Sequence, residues 1–167
     1  MSKKILVYHW TAGANKPNNL DLNSYQLLID SEGNIYKGNN PNPSSIAGLN
    51  TIAYNIALCG MCGYTSPKDI GKYPITQIQL ERAWEKGARV IKALGISPKK
   101  IYTHSYIGQL FSEGKLCKEL GIQKNQWLCN NKGKIDIDFL PTNPDLNREQ
   151  ILDLFRKKIV WYMSKIN

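Results

Sequence analysis

Only two histidines occur among the 167 residues, His9 and His104, and each ends a short apolar run, Ile5-Leu6-Val7-Tyr8-His9 and Ile101-Tyr102-Thr103-His104. A neutral imidazole nitrogen is the commonest transition-metal ligand at physiological pH. Two scarce residues at the mouths of two strands therefore suggest a paired ligand site. A third ligand must come from Asp, Glu or Cys. Asp136, in Lys134-Ile135-Asp136-Ile137-Asp138, is the candidate because it follows a long connection and sits beside a cation, Lys134; Asp138 is the competing carboxylate. A His₂Asp set leaves a fourth position for water, the pattern of a catalytic Zn2+ rather than a structural one. Such an ion lowers the pKa of water toward 7 and polarises a carbonyl.

The elements that would carry these residues are readable from hydrophobic period. Residues 4–9 read as a strand with Ile5, Val7 and His9 on one face. Residues 11–24, rich in Gly, Pro and Asn, read as loop. Tyr25–Ile29 and Asn34–Lys37 flank Asp30-Ser31-Glu32-Gly33, a hairpin signal. Ile52–Cys59 is a further apolar strand, and 60–74 a turn-rich connection. Thr76 with Gln79 forms a capping box, after which Leu80, Trp84, Gly87, Ile91 and Leu94 keep helical spacing until Gly95 and Pro98 end it. Ile101–His104 is the next strand. Residues 105–133 read as irregular, with one helical turn near Lys115–Leu120, and a connection of that length in a compact domain points to function. Residues 148–166 close the chain as a helix, apolar through Ile151, Phe155, Ile159 and Tyr162. This strand and helix order predicts a single α/β domain, a central mixed β-sheet flanked by α-helices, over residues 1–167.

Composition narrows the partners. No run approaches the roughly 18 apolar residues of a membrane span, and the apolar run after Met1-Ser2-Lys3-Lys4 is too short for a signal peptide, so synthesis in a cytoplasm is expected. A formal charge of +9 favours an anionic partner. The lysines are dispersed, with a denser group at Arg156-Lys157-Lys158, and form no basic run interleaved with aromatics of the kind a single-strand groove needs, which argues against nucleic acid. Cys59 and Cys62 have the spacing of a zinc ribbon or redox pair, but the second pair, Cys117 and Cys129, is spaced too widely to complete a ribbon. Cys59 closes an apolar run and reads as a buried free thiol. A bridge between Cys117 and Cys129 is disfavoured by cytoplasmic synthesis. In the closing helix, Phe155, Trp161 and Tyr162 lie beside Arg156, Lys157, Lys158 and Lys165, a composition that suits an anionic envelope surface if that side is free. The competing expectation is that the apolar side packs on the sheet.

Five segments together resemble one family. Tyr8-His9-Trp10-Thr11-Ala12-Gly13 is similar to the first metal motif of the zinc-dependent N-acetylmuramoyl-L-alanine amidases of the peptidoglycan-recognition-protein fold (amidase type 2), which include phage endolysins. Ser24 to Asp30 with Gly33 to Gly38 resembles the family's hairpin, and Ile56 to Met61 its next strand. Tyr102-Thr103-His104-Ser105 resembles the second metal motif, and Lys134-Ile135-Asp136-Ile137 the last, with Leu140-Pro141 behind it. The resemblance implies His9, His104 and Asp136 as Zn2+ ligands, and Lys134 and Tyr25 as groups assisting hydrolysis. It implies peptidoglycan as substrate, cut between N-acetylmuramic acid and the L-alanine of the stem peptide by a monomeric enzyme. Gln26 stands where many relatives have histidine, and Ala57 and Cys59 leave the strand without the glutamate some relatives carry near the metal.

A phage-type endolysin, released to the wall without an export signal, is the expected setting. The alternatives are a non-catalytic peptidoglycan-recognition module, which would lack a ligand, and a cytoplasmic wall-recycling or effector amidase.

Overall fold

Every residue of strand β1 (Ile5–Trp10) is buried, the pattern of a strand covered on both faces. The computed structural model, which describes residues 2–167, makes β1 an interior strand of a five-stranded mixed sheet. The other strands are β2 (Leu27–Ile29), β3 (Ile35–Lys37), β4 (Ala53–Leu58) and β5 (Ile101–Thr103), in the order β3-β2-β4-β1-β5. Strands β2, β4, β1 and β5 run parallel, and β3 returns antiparallel to β2 with Ile29 opposite Ile35. The predicted hairpin is thus present. Asp30 builds its turn, accepting hydrogen bonds from the backbone of Glu32 and Asn34, the Asn34 amide and the Tyr36 hydroxyl.

Alternation along β1 separates two cores. Leu6, Tyr8 and Trp10 face helices α2 (Gln77–Leu94) and α5 (Arg148–Met163), meeting Leu80, Trp84, Phe155 and Ile159. Ile5 and Val7 face the opposite layer with Ile46, Leu49, Tyr102, Ile107 and Leu128. The expected capping box holds at α2, where Thr76 and Gln79 cap each other and Gly95 takes the left-handed C-terminal position at φ 66°. Gly87 lets α2 approach the sheet, because a Cβ there would stand 1.9 Å from the Tyr8 hydroxyl oxygen. That hydroxyl donates to the Ala83 carbonyl at 2.9 Å.

Two expectations need correction. The loop expected over 11–24 contains helix α1 (Asn19–Ser24), started by a reciprocal cap of Asn18 and Asp21. The segment over 105–133, expected to be irregular apart from one helical turn near Lys115–Leu120, has that turn as α4 (Leu116–Leu120) but also holds α3 (His104–Ser112) and a 3₁₀ turn, Gln126–Asn131. Apolar Ile107, Leu110 and Phe111 recur there at helical spacing, and the signal is short because the helix has only 9 residues. Phe155, expected in the apolar stripe of the closing helix, is buried with its ring edge-on to Tyr8 and Trp84 and so is no part of an envelope surface. All four cysteines are free, with Cys59 buried and its thiol pushed up to about 12 by that burial, then by Asp21 and Asp30. No helix among the described residues is long and apolar enough to cross a membrane.

Candidate metal centre

His9 lies on the Ile5 and Val7 face near the carboxyl end of β1, and His104 opens α3 directly after the adjacent parallel strand β5. Crevices at the carboxyl ends of parallel strands are where open α/β sheets bind ligands, because chain reversals leave strand ends and helix starts uncovered there. Thr103 caps α3 by accepting from the Tyr106 amide. The third residue arrives from far along the chain. The Ser105 amide, next to His104, donates to the Asp136 carbonyl at 3.1 Å and pins that segment against α3.

The result is convergence on one point. Nδ1 of His9 and Nδ1 of His104 each lie 3.3 Å from the same carboxylate oxygen, Oδ2 of Asp136. Ligand atoms of the three residues all lie within 4.8 Å of one another, and no other group of three such residues is found among the described residues. Both rings are buried and Asp136 is half-buried. Asp138, the competing carboxylate, instead lies 3.5 Å from Arg148 and near Tyr64, and burial holds its pKa up.

On its far side each ring meets an asparagine. His9 Nε2 lies 2.9 Å from the Asn55 side-chain oxygen, and His104 Nε2 lies 2.9 Å from that of Asn131. The Asn131 amide nitrogen donates to the carbonyls of Ala47 and Leu128, so its oxygen must face the imidazole. An amide oxygen only accepts, which places the His104 hydrogen on Nε2 and leaves its Nδ1 a bare lone pair; the Asn55 side-chain amide nitrogen is buried without a partner, so Asn55 does not anchor the His9 tautomer in the same way. The His104 lone pair then faces the Asp136 carboxylate, and His9 Nδ1 faces the same oxygen. Burial alone would raise the Asp136 pKa; with protons on the imidazoles, hydrogen bonds and charge from His104 and His9 outweigh burial and hold it well below the usual carboxylate range, so the carboxylate wants positive charge at this point. Burial, partly countered by Asp136, lowers the His9 pKa, so a proton there is disfavoured. A divalent cation is the species this donor set fits, and the three residues could hold one.

Neither asparagine is marked by the sequence. Each works through an approach that only the fold creates: β4 beside β1 for Asn55, and the 3₁₀ turn beside α3 for Asn131. Gly108 permits the second, since a Cβ there would come within 2.5 Å of the Asn131 carbonyl oxygen. Ile137 follows Asp136 at φ 63°, a left-handed conformation that costs a β-branched residue about 1–2 kcal/mol. Its side chain is fully buried and anchors the turn in the core directly beside Asp136.

The remaining expected site residues flank the convergence point. Lys134 is exposed and lines, with His104, Ser44, Ser45, Ile46, Ala47 and Asn130, a cleft of about 210 Å³. The Tyr25 ring lies 5.1 Å from that of His9, and burial first, then the charge of Asp136, keeps its hydroxyl protonated through the neutral range. Gln26, at the position noted for its missing histidine, accepts from the Asn55 amide and so braces the strand that carries the His9 partner.

Similarity to known proteins agrees with this architecture. In its fold the chain resembles Staphylococcus aureus AmiA, a hydrolase (TM-score 0.54, 14% identity, 99% of this chain and 77% of that chain). It also resembles the Ph2119 endolysin of a Thermus scotoductus bacteriophage (TM-score 0.50, 18% identity, 74% and 87%). A third similar structure is the Escherichia coli N-acetylmuramyl-L-alanine amidase AmiD (TM-score 0.47, 19% identity), of which 58% is spanned for 73% of this chain. At such identities the first two establish a shared fold. The family model described as N-acetylmuramoyl-L-alanine amidase matches residues 2–119, and the chain belongs to that family. No curated protein sequence matches it. The family match includes His9 and His104 and stops short of Asn131 and Asp136.

Proposed function

We propose that the chain is a zinc-dependent peptidoglycan amidase, with Zn2+ held by His9, His104 and Asp136. It would hydrolyse the amide between the lactyl group of N-acetylmuramic acid and the L-alanine of the stem peptide. The observation that carries this reading is the pair of imidazoles whose Nε2 atoms face amide oxygens while both Nδ1 atoms face one carboxylate oxygen, in a member of an amidase family. Zinc in this position supplies Lewis acidity toward a carbonyl and toward water. Hydrolysis adds water across the amide: hydroxide joins the lactyl carbonyl carbon, the C–N bond breaks, and the L-alanine nitrogen leaves with a proton. Lys134, free to extend over the cleft it shares with His104, offers its ammonium to the negative charge that develops on the carbonyl oxygen. Tyr25 remains a phenol beside His9 and orients the reacting groups by donating a hydrogen bond.

In this reading the amidase unit is the chain as a whole, residues 1–167, with α5 as its closing helix, and its partner is the anionic wall, to which a net charge of +9 is suited. A lysin of the phage type is the setting that agrees with this charge. The test is mass spectrometry of purified sacculi after digestion, with and without chelator. Release of free L-alanine amino termini that added zinc restores is the expected result; new reducing sugar ends, or cleavage by metal-free His104→Ala protein, would overturn it. Sacculi left intact by zinc-loaded protein would mark a recognition module instead.

A further inference from the structure

Helix α5 buries Ile151, Leu152, Phe155 and Ile159 and leaves its next turn outward, with Val160 49% and Trp161 52% exposed. An exposed indole beside an exposed branched aliphatic is not explained by packing on the sheet. Around them the chain places cations. From Arg156 to Lys165 the helix and its end carry Arg156, Lys157, Lys158 and Lys165 and no acid. Lys165 Nζ stands 5.4 Å from the Trp161 ring centre. Two shallow grooves adjoin the pair. One, of about 480 Å³, is lined by Ser97, Pro98, Lys99, Arg156, Lys157 and Val160. The other has Trp161 and Lys157 on its wall, and its one carboxylate, Glu81, is already paired with Lys158 at 2.8 Å and accepts from Tyr162.

We propose that this end of α5 is a docking surface for a bilayer rich in anionic phospholipid, with Val160 and Trp161 entering the headgroup layer and Lys99, Lys157 and Lys165 meeting lipid phosphates. Charge complementarity selects an anionic partner, and the apolar pair selects a bilayer among anions. A polyanion of phosphates alone gains nothing from an indole or an isopropyl group, and one with bases or sugars would stack on Trp161 but find no use for Val160. At a bilayer interface both find the mixed polar and apolar layer that tryptophan favours, while the lysines add attraction to the lipid charge. The placement also orients the molecule. Arg156 donates to the Ile101 carbonyl at the amino end of β5, whereas His104 follows the carboxyl end. A protein seated by this surface would turn its metal cleft away from the bilayer.

Co-sedimentation of the full chain with phosphatidylglycerol/phosphatidylcholine vesicles tests this without using amidase activity, so its outcome is separate from that of the catalytic reading. Binding that falls steeply with salt and is absent on pure phosphatidylcholine is expected. Lys157→Ala with Lys165→Ala should lower partition about 30-fold, roughly fivefold per lysine. Val160→Ser with Trp161→Ser should lower it at least tenfold, with circular dichroism and melting unchanged because both side chains are exposed. Wild-type partition in either double variant would overturn the proposal. If the lysine variant alone loses binding, the surface is a general polyanion patch and the bilayer assignment fails.

Discussion

Replacing Asn131 by alanine separates two roles that one side chain holds together. Its oxygen accepts from His104 Nε2 at 2.9 Å, and its nitrogen donates to Ala47 and Leu128 at 2.9 and 3.0 Å, all in a fully buried position. Truncation leaves one ring N–H and two carbonyls unpaired. Each such loss costs about 1–3 kcal/mol, less where solvent reaches the group, which gives about 2–4 kcal/mol in all. For a chain of this size that lowers Tm by roughly 5–15 °C. The ring also loses the partner that keeps Nδ1 free for a metal, and losses of this kind weaken metal binding about 10- to 100-fold. Asn131→Asp restores an acceptor to His104 but not the two donors. Zinc affinity, measured by competition with a chromogenic chelator, should therefore recover in Asn131→Asp, while the melting temperature of the metal-free protein should not. Wild-type zinc affinity in Asn131→Ala, or no difference in affinity between the two variants, would refute the assignment of tautomer control to this residue.

Lys134→Ala should lower kcat about 10²- to 10³-fold at unchanged zinc content, and a rise in KM alone would limit Lys134 to substrate binding. Asp30→Asn should destabilise the protein by about 1–3 kcal/mol at pH 7, because one acceptor oxygen becomes a donor facing Asn34 and Tyr36. Burial alone would raise the Asp30 pKa, and hydrogen bonds from Asn34, Tyr36 and Glu32 outweigh it and hold the pKa below 3.8. Its contribution is therefore full above about pH 4 and fades as pH falls through the lowered folded value, so urea titrations of the two proteins should converge in acid. Gly87→Ala should destabilise by about 1–3 kcal/mol despite its better helix propensity, because the new methyl meets the buried Tyr8 hydroxyl; an unchanged urea midpoint would contradict that packing.

What was legible in the chain was what repeats or is capped over a long enough window. The continuous apolar run of β1, the Asp-x-x-Gly hairpin, and the boxed and terminated α2 each carry their signal within one segment, and α5 could be recognised from its apolar stripe. Helices α1 and α3 were missed because 6 and 9 residues make too few turns to establish a period, whereas the single turn expected near Lys115–Leu120 is α4. The Asn18 and Asp21 pair that starts α1 is a capping box in less familiar residues, and Thr103 with Ile107, Leu110 and Phe111 would have marked α3. In α5, period put Phe155 in the apolar stripe with Ile151 and Ile159 and left Trp161 outside it. The neighbours Tyr8 and Trp84 make the one core, and the other stays free.

The same division holds at the site. By itself the sequence determined which groups were available to a metal, because histidine is scarce and its two copies each close an apolar run. Only the tertiary structure decided that Asp136 rather than Asp138 meets them, since the left-handed turn at Ile137 and the bond from Ser105 aim one carboxylate inward and leave the other to Arg148. Only the tertiary structure supplied Asn55 and Asn131. An asparagine side chain carries no period and no fixed spacing from its histidine, and its effect on which ring nitrogen is free arises only when distant backbone segments bring an amide oxygen to 2.9 Å.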